Sequence, residues 1–98
     1  DVNKAETMDG VTPLYAAASN GHREVMDSLI AAKADVNKAL TRNGATPLYA
    51  AANNGHKYVV AALIAVKADV NKALTRDGAT PLYAAASNGH KDVVDALD

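Results

Sequence analysis

Three histidines, His22, His56 and His90, recur at an interval of 34 residues, and histidine is the first residue type to weigh as a metal ligand or a general base. Zinc needs its donors about 2 Å from the ion. Equivalent residues of stacked repeats lie on the order of 10 Å apart, so these three side chains cannot close on one metal, and a structural place near the start of a helix is the expectation. Ser87 and His90 are close in sequence, yet no third group orients the histidine and no oxyanion site is suggested, which argues against a hydrolase. Carboxylate pairs across repeats fail at the level of residue type: Asp27 meets Ala61 at the equivalent position. Each glycine stands alone at a turn, so no phosphate-binding loop is present. The expectation is a chain without catalytic residues, metal or cofactor.

The elements that carry these residues repeat as a block. Thr-Pro-Leu-Tyr-Ala-Ala-Ala begins at Thr12, Thr46 and Thr80, and Asp-Val-Asn begins at Asp1, Asp35 and Asp69. A fixed period of this length is the signature of a stacked repeat. The chain divides into units of about 1–34, 35–68 and 69–98 within one domain, the last ending inside its second helix. Units two and three differ only at Asn43/Asp77, Asn53/Ser87, Tyr58/Asp92, Ala61/Asp95 and Ile64/Asp98. Such identity points to recent duplication or to design. Unit one drifts further, with Glu6, Met8, Val11, Met26 and Ser28 facing Leu40, Arg42, Ala45, Val60 and Ala62.

Within a unit, Thr46 suits an N-cap and Pro47 the first helical position, where its missing N–H is no loss. Asn54-Gly55 ends this short helix, because both residues tolerate a left-handed turn. A second helix runs from His56 to about Val66, with Val60, Leu63 and Ile64 spaced i, i+3, i+4 as one apolar stripe. An extended loop follows, and Asn43-Gly44 or Asp77-Gly78 marks its tip.

The period alone would suit tetratricopeptide repeats, but their Trp/Gly/Tyr pattern is missing. The chain resembles instead the ankyrin repeat, in Asp-Gly-x-Thr-Pro-Leu, Ala-Ala, Asn-Gly-His, Val-Val and Ala-Asp-Val-Asn, over essentially its whole length. One extra residue between Asn37 and Gly44, and between Asn71 and Gly78, explains a period longer than the family's usual 33. The implied fold is all-α: an ankyrin-repeat solenoid of stacked helix-turn-helix units joined by extended β-turn loops. Three departures stand out. Tyr15, Tyr49 and Tyr83 replace the family's His, and Ala16, Ala50 and Ala84 replace the Leu that follows. The larger Tyr is expected to fill volume the Ala vacates, buried and bonded through its hydroxyl to the loop. Lys33 and Lys67 stand where the family has Gly, and a left-handed Lys there would be strained.

Composition limits function further. Net charge is −1 with acids and bases interspersed, which indicates neither a nucleic-acid footprint nor a membrane-surface patch. There are 22 alanines, no Phe, no Trp and no Cys, so the core is aliphatic and lacks disulfides and thiolate sites. No apolar run is long enough to span a bilayer and no signal-peptide layout is visible. A cytoplasmic location is the resulting expectation.

The resemblance implies a protein partner lying across the loop tips and the inner face of the first helices. Carried onto this chain, the tips are Met8, Asp9 and Val11; Arg42, Asn43 and Ala45; and Arg76, Asp77 and Ala79. Behind them stand Ser19-Asn20, Asn53-Asn54 and Ser87-Asn88. The near-identity of the units supports an alternative, a structural or engineered scaffold without a specific ligand. Tyr58, Ala61 and Ala65 form a second, apolar patch on one face of the second helix. No dedicated capping unit is visible, so weak end-to-end self-association is expected as well.

Overall fold

A computed structural model describes residues 1–5 and 7–98; Glu6, one of the residues that individualise unit one, lies outside the described residues. Six helices follow in three pairs: α1 (Pro13–Ser19) with α2 (Arg23–Ala31), α3 (Pro47–Asn53) with α4 (Lys57–Ala65), and α5 (Pro81–Ser87) with α6 (Lys91–Leu97). No strand is present among the described residues.

The first helix of each pair starts where the sequence places it. The Oγ1 of Thr12, Thr46 and Thr80 accepts the N–H of Tyr15, Tyr49 and Tyr83 at 3.1 Å, and a proline opens each helix. This satisfies one of the amide donors a helix start leaves free. The same helices close on glycine. Gly21 and Gly55 take φ +72° and +76°, and the following His22 and His56 amides reach back to the Ala17 and Ala51 carbonyls at 2.9 Å. The second helices begin at histidine with no side-chain cap.

Alanine sets the packing. Ala17, Ala18, Ala51, Ala52 and Ala85 are almost fully buried between first helices, beside Leu14 and Leu48. Small side chains allow these helices to approach more closely than the second helices, whose contacts are sparser. The stack therefore curves with α1, α3 and α5 on its concave side. Met26, Val59, Val60, Leu63 and Val93 complete the core from the second helices.

Lys33 and Lys67 adopt φ +72° and +69°, as the missing glycine implied. Each closes its helix in a six-to-one pattern: the Ala34 N–H donates to the Leu29 carbonyl and the Ala68 N–H to the Leu63 carbonyl, both at 3.0 Å. The turn is retained because Ala34 and Ala68 are buried behind it, while both lysine side chains stay in solvent. Left-handed lysine is strained, so Lys33→Gly and Lys67→Gly should each raise stability by roughly 1 kcal/mol despite glycine's freer unfolded chain. A urea titration checks this: the midpoint rises for both variants, whereas an unchanged or lower midpoint refutes the strain.

Candidate partner-binding surface

The loops between pairs are hairpin-like turns with a repeated hydrogen-bond pattern. The Leu40 N–H donates to the Ala45 carbonyl at 2.8 Å and the Gly44 N–H to the Leu40 carbonyl at 3.0 Å, and Leu74, Ala79 and Gly78 repeat this. At the second and third tips the side chain before the glycine braces the turn, Asn43 Oδ1 accepting the Ala45 N–H at 3.0 Å and Asp77 Oδ1 the Ala79 N–H at 3.1 Å; at the first, Thr7 Oγ1 accepts the Val11 N–H at 3.2 Å. Neighbouring tips are joined through the backbone, the Thr41 N–H donating to the Asp9 carbonyl and the Thr75 N–H to the Asn43 carbonyl, both at 2.8 Å. The tips thus form one connected row.

Along this row Met8 is fully exposed, and Arg42, Arg76 and Asp77 also face solvent; Asp9 and Asn43 are half-buried. Three residues expected at the surface are withdrawn from it. Ala45 is 2% exposed, and Val11 and Ala79 are half-buried, because each follows the turn glycine and points back onto the small cluster of Leu40, Leu74, Tyr15 and Tyr49. Arg42 lies 3.8 Å from Asp9 and Arg76 lies 3.7 Å from Asp77. Exposed pairs of this kind contribute about 0–1 kcal/mol, so both guanidinium groups can exchange partners readily.

The residues behind the tips do two jobs. Asn54 Nδ2 donates to the Ser19 carbonyl at 2.9 Å, and Asn88 Nδ2 donates to Asn53 Oδ1 at 2.8 Å. Ser19, Asn53, Asn54 and Asn88 therefore tie adjacent pairs together. Asn20 bonds back to its own helix at the Ala16 carbonyl, and Ser87 is exposed.

The tyrosines differ from expectation. Tyr15 and Tyr49 are half-buried beneath the hairpin that follows each of them, and Tyr83, with no hairpin over it, is 65% exposed. None of the three hydroxyls finds a hydrogen-bond partner among the described residues; only their backbone amides are bonded. Of the alanines that follow the tyrosines, Ala50 and Ala84 are buried and Ala16 is exposed. Burial raises the Tyr15 and Tyr49 phenols above the usual tyrosine pKa, with the Arg42 and Arg76 guanidinium groups pulling the other way.

On the convex side Tyr58, Ala61 and Ala65 are exposed together, and the Lys57 ammonium lies 5.0 Å from the Tyr58 ring centre. A hollow that no single repeat signals lies beside them. It measures about 940 Å³ and runs along the starts of the second helices past Gly21, Gly55, His56, Tyr58 and His90. Its cations are already matched: Arg23 with Asp27 at 3.6 Å, Lys57 with Asp92 at 3.3 Å and Lys91 with Asp95 at 2.8 Å. The carboxylate partners hold the Lys57 and Lys91 ammonium groups above their ordinary pKa.

Two of the three histidines act between pairs. His56 Nε2 lies 3.0 Å from the Ser19 carbonyl and His90 Nε2 lies 3.1 Å from the Asn53 carbonyl. Their rings cover Gly21 and Gly55 so closely that an added Cβ would sit 2.7 Å from Nδ1. Among the described residues no group of three His, Asp or Glu side chains converges as a metal site would require, and no helix is long and apolar enough to cross a membrane.

This arrangement of capped short helices, hairpin tips and stacked pairs is that of a repeat protein. The family model of ankyrin repeats in three copies matches residues 14–97, and the chain belongs to the ankyrin repeat family. Ankyrin repeats generally serve as protein-interaction modules and are typically non-enzymatic. No curated protein matches the sequence.

The bridging role of the histidines separates them experimentally. His56→Ala and His90→Ala remove a bond and a packed ring, and each should cost about 1–3 kcal/mol. His22, exposed and without a partner among the described residues, should tolerate Ala within about 0.5 kcal/mol. Thermal or urea unfolding of the three variants reads this directly, and equal losses at all three positions would refute the bridging role.

Proposed function

We propose that the chain binds a protein partner non-catalytically, across the row of hairpin tips and the concave face of the first helices. The observation that carries this reading is the backbone link between successive tips at Thr41–Asp9 and Thr75–Asn43, each 2.8 Å. It holds the exposed side chains of Met8, Arg42 and Arg76 at fixed spacing. A surface already ordered before encounter loses less conformational freedom on binding. Methionine and arginine are also among the residue types enriched at interfaces. Asp9, Asn43 and Asp77 flank them, and Ser87 with Asn20 extends the surface along the helix ends.

The three tips differ most at Met8 and least between Arg42 and Arg76, so selectivity rests mainly on the first tip. A scaffold without a specific ligand remains the second reading, favoured by the identity of Thr41-Arg42 and Thr75-Arg76. The two separate in one experiment. A partner captured by the wild-type chain should bind the combined Met8→Ser, Arg42→Ala, Arg76→Ala variant at least about tenfold more weakly, and should bind Tyr58→Ser normally. Loss of binding in Tyr58→Ser with retention in the triple variant would move the site to the convex patch.

A further inference from the structure

On the reading that the concave row is the binding surface, we infer that it takes an extended acidic segment of the partner. Its carboxylates enter two like seats, one made by Arg42 with Tyr15 and one by Arg76 with Tyr49. Each seat joins a hairpin to the first helix beneath it. Tyr15 and Tyr49 pack half-buried against the hairpin cluster of Leu40, Ala45 and Leu74, and Arg42 and Arg76 stand two residues beyond Leu40 and Leu74 on the same hairpins. Burial raises both phenols above the usual tyrosine pKa, Asp77 adds to the rise at Tyr49, and Arg42 and Arg76 pull the other way. Each guanidinium is therefore within electrostatic reach of its own phenol.

The seats share donors that lack acceptors. Neither phenol hydroxyl has a hydrogen-bond partner among the described residues, where only the two backbone amides are bonded. Both hydroxyls are open to solvent, since no buried side-chain oxygen or nitrogen is left without a partner there. Arg42 and Arg76 approach Asp9 and Asp77 only to 3.8 and 3.7 Å, and their side chains are 62% and 75% exposed. Those separations exceed a hydrogen bond, so the guanidinium forks are not engaged by these carboxylates. Arg42 is open although a tip stands on either side of it. The convex cations differ, because Lys57 and Lys91 hydrogen-bond to Asp92 and Asp95 at 3.3 and 2.8 Å. A carboxylate only accepts, and it can take a guanidinium fork and a hydroxyl at once. Asp9 and Asp77 oppose the incoming charge, but they are half-exposed and return to water at little cost when displaced.

Spacing selects the segment. The tip-to-tip backbone bonds hold the two seats one repeat apart, on the order of 10 Å. A polyproline II segment turns once in three residues and rises about 9 Å in doing so, which brings acidic side chains at i and i+3 onto one face at the matching distance. Adjacent acidic residues point to different faces and fill one seat only. At the first tip Met8 stands at the position of Arg42 and Arg76, so the acidic stretch spans the second and third tips.

Nuclear magnetic resonance titration of the isotope-labelled chain in low-salt buffer tests this with a short peptide containing Glu-Pro-Pro-Glu, whose prolines hold the extended form. Shifts should centre on the second and third tips, and the isomer Pro-Glu-Glu-Pro should bind at least about fivefold more weakly. The combined Arg42→Gln, Arg76→Gln variant should lose the peptide, and the combined Tyr15→Phe, Tyr49→Phe variant should bind it about threefold more weakly. Lys57→Gln should bind it normally, and salt raised to about 0.5 M should weaken it. Absence of binding overturns the inference, as do equal affinities for the two isomers, preference for a lysine analogue, or tighter binding of a single-stranded oligonucleotide. The concave row survives any of these results if a captured partner still fails to bind the Met8→Ser, Arg42→Ala, Arg76→Ala variant.

Discussion

The close approach of successive first helices is the constraint from which the rest of the molecule follows. Three alanines in each Leu-Tyr-Ala-Ala-Ala segment remove the bulk that would hold α1, α3 and α5 apart. No pair could bury its apolar face alone; each does so against its neighbours, as in other stacked repeats. Because the first helices approach more closely than the second, the stack bends and acquires a concave side. The hairpin tips lie along the mouth of that side.

The same approach fixes the polar contacts. Once the backbones are this close, Gly21 and Gly55, at the ends of α1 and α3, become the floor for the histidine rings of the next pairs. Asn54 and Asn88 can then span the junction to the preceding helix end. Farther along, the Asn3 and Asn37 side chains accept the Asp35 and Asp69 amides at 2.7 and 2.8 Å. His56 and His90, of the residue type that first suggested metal or acid–base chemistry, are thereby used in holding one pair to the next, while His22 has no such contact among the described residues. The side chains free of that duty gather at the hairpin tips, which is why the concave row is the better place to look for function than any histidine.

Much of this was legible in the sequence. The 34-residue interval, the Thr-Pro starts and the Asn-Gly stops placed all six helices, and the lysines at positions 33 and 67 announced a left-handed turn through the absence of glycine. What could not be read was direction. Val11, Ala45 and Ala79 sit beside turn glycines and look like tip residues, yet the chain reverses there and carries them inward. Tyr15, Tyr49 and Tyr83 are the same residue in the same local sequence, and only the presence or absence of a following hairpin decides whether the ring is covered. The hollow beside Tyr58 is formed by three second helices at once, so no single unit signals it.

Native-state hydrogen exchange at the Thr41 and Thr75 amides tests the central claim most directly, that the hairpin tips form one ordered surface through bonds between pairs. These amides carry the tip-to-tip links, and they lie on loop segments rather than in helices. If the links persist in solution, both exchange slowly, with protection approaching that of the buried α3 amides and lost only when neighbouring pairs separate. Exchange at the rate of an unprotected loop, while α3 stays protected, would contradict the account, because the tips would then move independently of the stack that is said to hold them.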